Sequence, residues 1–107
     1  MEKKDFSVFC KLLSDVYAKA FGETLSSLPH GKAQTLSWLI FDATGEMLSY
    51  KSLGNFVIAA LDEAPQKINP TAMTMSILAQ YVAGKEKAAT GCLAWYQYRS
   101  VVFQQAA

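Results

Sequence analysis

Hydrophobic positions recur along this chain with a helical period almost from end to end. Phe6, Phe9, Cys10, Leu13, Val16, Tyr17, Ala20 and Phe21 follow an i, i+3, i+4, i+7 rhythm, while Lys4, Lys11, Asp15 and Lys19 fall on other faces. This predicts an amphipathic helix that Gly22 stops. Residues 23–32 hold Ser26, Ser27, Pro29, His30 and Gly31 and read as a connection. A second helix is predicted over Lys32 to Thr44, with Ala33, Leu36, Ile40 and Phe41 on one face. Trp38 and Leu39 widen that face, so burial on more than one side is expected; Gly45 ends the helix. Ser49 suits the N-cap of a third helix, whose buried stripe is Leu53, Phe56, Val57, Ala60 and Leu61. Residues 62–69 read as a loop. Asn69 as cap and Pro70 at the first helical position predict a fourth helix, with Met75, Leu78, Ala79 and Val82 on one side and Gly84 at its end. A fifth is predicted over Lys87 to Gln104. It carries two stripes: Cys92, Leu93, Tyr96 and Phe103, and Trp95, Tyr98 and Val102. Tyr96 to Phe103 is the one stretch where a strand competes.

The expected fold is therefore all-α: a single small orthogonal helical domain of about five helices spanning residues 1–107. A length of 107 residues supports one core and not two. A hydrophobic share of 51% with 18% charged residues excludes a disordered tail. Leu53, Phe56 and Leu78 are expected at meeting faces of the third and fourth helices. Packing stripe against stripe leaves one aromatic side of the fifth helix over, which makes Trp95, Tyr98 and Val102 candidates for an interface, in a homodimer or with a partner protein.

Candidate chemistry is sparse. His30 is the only histidine, and Cys10 and Cys92 lie far apart, so no metal-ligand spacing exists and no metal or other cofactor is expected. The two thiols are expected to be reduced and to behave as small buried hydrophobes. No Gly-x-Ser-x-Gly elbow and no glycine-rich phosphate loop occurs. Asp42 and Glu46 stand four apart, a spacing that fits acid–base work but more commonly a solvated surface pair. An enzyme is not expected. Asp5 follows Lys3 and Lys4 at once, Lys11 and Asp15 interrupt what would be the apolar core of a secretory leader, and the longest apolar runs are short of a membrane span. The cytoplasm is the expected compartment.

The stretch from Ala33 to Gly84 carries more. Leu48, Ser49, Leu53 and Phe56 have the spacing of a helix-turn-helix, in which an apolar turn residue precedes a Ser or Thr cap and buried positions follow five and eight residues later. Together with Ile40, Phe41, Thr44 and Gly45 before them, and Pro70, Thr74, Ile77, Leu78 and Tyr81 after them, these residues resemble the lambda-repressor-like helix-turn-helix family. The similar unit is about 33–61, with a following helix at 70–83. The chain departs from the family pattern in a turn about two residues longer and in Phe41 where a small residue is usual. The resemblance implies a DNA-binding protein, a transcription regulator acting as a homodimer. Ser49, Tyr50, Lys51, Ser52 and Asn55 would then face the major groove, and Lys67, Lys85 and Lys87 would hold phosphates.

Charge bears on this choice. Residues 33–64 hold one lysine, Lys51, against Asp42, Glu46, Asp62 and Glu63, a net of −3. Phosphate contacts supply most non-specific affinity for DNA, and one lysine supplies little. The alternative function is a non-enzymatic protein–protein interaction module or adaptor, using the acidic centre and the aromatic C-terminal helix. A positive face around Lys51 would favour DNA; an apolar or acidic one would favour protein.

Overall fold

The computed structural model describes residues 1–84 and 92–106. Among them five α-helices form: α1 (Lys3–Phe21), α2 (His30–Thr44), α3 (Tyr50–Leu61), α4 (Ala72–Ala83) and α5 (Leu93–Ala106), with a short 3₁₀ turn at Pro65–Lys67 between α3 and α4. The fold class is all-α, as the periodicity predicts, and Tyr96 to Phe103 is helix rather than strand. Lys85 and Lys87 lie outside the described residues, as does the predicted start of the fifth helix.

Glycine ends the first two helices for a steric reason. Gly22 and Gly45 adopt φ of 67° and 78°, a left-handed turn that a Cβ disfavours, and their N–H groups close the last turns onto Ala18 and Phe41. Ser49 caps α3, its hydroxyl accepting from the Lys51 N–H at 3.2 Å. The start of α4 differs from expectation. Thr71, not Asn69, is the cap, and its hydroxyl accepts from the Thr74 N–H at 3.1 Å. Pro70 lies before the helix, in the approach to it, where its missing donor is no loss.

One core draws residues from every helix. α4 is central: it packs against α1, α2 and α5, and Met75 to Ala79 are buried without a break. α1 contributes Phe6, Val8, Phe9, Leu12, Leu13, Val16 and Tyr17. α3 packs on α2 and turns Leu53, Phe56, Val57 and Ala59 inward, with Phe56 edge-on to Phe9 of α1 at 5.3 Å. Leu53, Phe56 and Leu78 are all buried.

Several inward assignments are corrected. Trp38 is 61% exposed, because its one-residue offset from Ser37 turns it 100° away from the face that Ala33, Leu36, Ser37 and Ile40 bury. Leu61, in the last turn of α3, is 45% exposed, and Ala59 takes the inward place expected for Ala60. Cys10 and Cys92 are free thiols at half-buried positions, not fully buried ones. On α5 the stripe expected at an interface points inward instead. Trp95 is 2% exposed, and Tyr98 and Val102 pack half-buried against the core. Leu93, Tyr96 and Phe103 carry the exposed side.

Candidate functional site

The segment between α2 and α3 does not project away. It folds back along α2, held by Ser37, whose buried hydroxyl meets the Leu48 carbonyl and lies 3.0 Å from the Met47 sulfur. Thr44 starts that return: its hydroxyl donates to the Ile40 carbonyl at 2.7 Å and accepts from the Glu46 N–H at 3.1 Å. As a result α3 begins beside the first turns of α2, and the His30 ring meets the Tyr50 ring edge-on at 4.8 Å.

These contacts enclose an open groove of about 530 Å³, lined by Gly31, Gln34, Thr35, Ser37, Trp38, Met47 and Tyr50. Trp38 lines it from α2 and Tyr50 from the start of α3. Met47, 49% exposed, lines it from the return segment. Large apolar side chains on a small protein's surface are unremarkable singly; an indole and a thioether sharing one concave surface are the composition of a contact site. The indole is further fixed by Phe41, whose ring lies 6.1 Å away and tilted.

The residues named from the sequence divide around this groove. Ser49 is the exposed cap, Tyr50 is half-buried in the groove wall, and Lys51 is exposed on the first turn of α3. Asn55 lies one turn further on the same side, and Ser52 is half-buried. Past Asn55 the outward stripe of α3 continues with Ile58, 53% exposed, and Asp62 at the C-cap. Lys67 is not gathered with Lys51. It sits in the 3₁₀ turn and pairs with Asp62 at 3.1 Å. The cationic residues near the groove are few: Lys32 lies back over the Tyr17 and Phe21 rings and pairs with Glu23. Among the described residues Lys3, Lys4 and Lys51 are the cations with neither an ion pair nor a ring or carbonyl partner.

Trp38, Met47 and Gln34 line the groove and are not among the site residues named from the sequence. Their signal was present in Gln34, Trp38 and Asp42, which recur every four residues on one side of α2; two of the three are polar.

A second concavity, of about 390 Å³, lies between α1 and the chain after α3, lined by Lys3, Phe6, Ser7, Cys10, Ala60, Glu63 and Pro65. Burial, and then the charge of Glu63, push the Cys10 thiol above its ordinary pKa. The thiol stays protonated, which opposes nucleophilic chemistry there. Among the described residues no group of three or more His, Cys, Asp or Glu could hold a metal ion, and no helix is long and apolar enough to cross a membrane. Comparison with protein-family models, curated proteins and solved structures gave no match.

Proposed function

We propose that this chain is a protein-interaction module that takes a segment of a partner protein into the groove between α2 and α3. The observation that carries this reading is the exposure of Trp38 and Met47 on one concave surface. Aromatic and methionine side chains concentrate at the centres of protein interfaces, where lysine is depleted. The outward stripe of α3 agrees with it, since Ile58 and Asp62 follow Lys51 and Asn55. An aliphatic side chain and a carboxylate on that stripe oppose a phosphate backbone.

A second reading, recognition of duplex DNA by a helix-turn-helix-like α2–α3 unit, has its own support. Ser49 caps α3, Lys51 is unpaired on the first turn, and the starts of α2 and α3 lie side by side at the His30–Tyr50 contact. One experiment separates the two. Iodide quenching reads Trp38 selectively, since Trp95 is buried. Trp38 protected by peptide but not by random duplex at low salt supports the protein reading. Salt-sensitive duplex binding that depends on Lys51 and not on Trp38 supports DNA.

A further inference from the structure

Resting on the protein-binding reading, we infer that the groove's occupant is a basic segment: an apolar side chain seated between Trp38 and Tyr50, flanked by lysine or arginine. The apolar part follows from the lining. The charge follows from what borders it. Asp42 stands four residues after Trp38, hence one turn further along the same exposed side of α2. Glu46 immediately precedes Met47 in the return segment. Neither carboxylate has an ion pair or a side-chain hydrogen bond among the described residues, whereas Asp5, Asp15, Glu23 and Asp62 are engaged; Glu2 and Glu63, also without one, belong to the N-terminus and to the other concavity.

The one cation of α2 lies at its opposite end, nearly three turns from Asp42. Lys32, on the same helix, is held over Tyr17 and Phe21. Lys51 follows Tyr50 and is the one positive charge between residues 33 and 64. The border of the groove is therefore acidic on its α2 side, while its walls are aromatic. A guanidinium or ammonium approaching from that side finds the exposed Trp38 indole and, one turn away, the exposed Asp42 carboxylate, which suits cation–π and charge attraction. An acidic segment would meet repulsion at both carboxylates and relief only at Lys51.

The test is selection of random dodecapeptides displayed on phage against the folded chain, with counter-selection on the Trp38→Ala variant. Winning peptides are then synthesised and titrated by fluorescence anisotropy against wild type, Trp38→Ala and the double variant Asp42→Lys/Glu46→Lys. All three substituted side chains are exposed, and circular dichroism checks that the variants stay folded. The expected winners carry a net positive charge beside an apolar residue. They bind the charge-reversed variant about tenfold or more weakly, and their affinity falls with added salt. Winners that need Trp38 but are neutral or acidic, or that bind the charge-reversed variant equally well, overturn the basic-segment inference and leave the groove as a protein site. Absence of any Trp38-dependent winner overturns the protein-binding reading itself. A dimer in light scattering that Trp38→Ala dissociates makes a second copy of the chain the occupant and overturns the inference.

Discussion

Around α4 and α5 the polar side chains tie helices together, whereas around α2 and α3 they fix the return segment, cap α3 or face water. In the first region Arg99 donates to Asp5 at 2.7 Å, joining α5 to α1, and its guanidinium covers Phe103. The Tyr98 hydroxyl donates to Asp15 of α1, and Lys19 donates to the Tyr81 carbonyl of α4. Ser76 of α4 accepts the Trp95 N–H at 3.1 Å, in the first turn of α5. A buried hydroxyl on one helix thus caps another. In the second region Ser37, Thr44 and Ser49 fix the return segment and the start of α3, while Asp42, Glu46, Lys51 and Asn55 lie exposed on its outer side. Exposed large apolar side chains occur in both, and those of α2 and the return segment, Trp38 and Met47, share a groove. The difference teaches where to look for function. Polar groups engaged inside the fold are committed to stability; groups left in solvent beside a concave aromatic surface are free for a partner.

The largest expected effect falls in the first region. Trp95→Ala removes the largest fully buried side chain and leaves a cavity beneath α4 and α5. A loss of about 3–5 kcal/mol is expected, enough to unfold a marginal domain of this size. Urea denaturation measures it, and a loss under about 1 kcal/mol would place Trp95 at the surface after all.

Next is Ser76→Ala. The methyl side chain fits the space, but the Trp95 N–H is left buried without an acceptor. The cost of an orphaned buried donor is about 1–3 kcal/mol. Amide hydrogen exchange should show the first turn of α5 opening before α4; uniform loss of protection across both helices would deny Ser76 its capping role.

Alkaline pH probes the same region. Burial first, then the hydrogen bond to Asp15 and its negative charge, push the Tyr98 phenol well above its ordinary pKa. The folded chain holds that proton more tightly than the unfolded chain does. The stabilisation is therefore complete below the unfolded value of about 10 and is lost as pH rises above it. Tyr81, also raised by burial, acts in the same direction. The urea midpoint should fall above about pH 10 in wild type and fall less steeply in Tyr98→Phe. Equal slopes would mean that Tyr98 ionises as freely in the fold as out of it.

In the second region Ser49→Ala should cost about 1 kcal/mol through loss of the α3 cap, measured as a shift in urea midpoint, and Ser49→Gly less.

The same contrast explains what the sequence disclosed. Helix phases were legible wherever apolar spacing was unambiguous, as in α1, and helix ends where Gly22, Gly45 and Ser49 mark them. Trp38 was not, because an aromatic beside Leu39 and Ile40 widens an apolar face on paper, while in three dimensions Ser37 takes the inward place. Ser37 is buried because its hydroxyl has the Leu48 carbonyl as partner, eleven residues away. That return fold makes the groove, and no local pattern encodes it. Likewise the two aromatic stripes of α5 were both visible, but which one faces inward depends on α4. Of the groove's lining, Tyr50 at the capped start of α3 was legible; for Trp38 the one hint was polar Gln34 and Asp42, four residues to either side.

The smallest expected effect, and the one that separates the two readings, belongs to Lys51→Ala. Lys51 is exposed and has no ion pair or side-chain hydrogen bond among the described residues, so stability should change by less than about 0.5 kcal/mol. Its stripe on α3 offers a duplex one cation, one amide, the aliphatic Ile58 and the carboxylate of Asp62, and Asp62 also engages Lys67. A phosphate-binding surface gains affinity from several cations together, and its binding weakens steeply with salt. In a titration with random duplex at two salt concentrations, wild type and Lys51→Ala are expected to behave alike and to show no salt-sensitive binding. Should wild type instead bind at low salt, with Lys51→Ala weaker by about 1–3 kcal/mol, α3 reads nucleic acid. A shallower salt slope in the variant would then assign Lys51 to a phosphate, and an unchanged slope to a base edge.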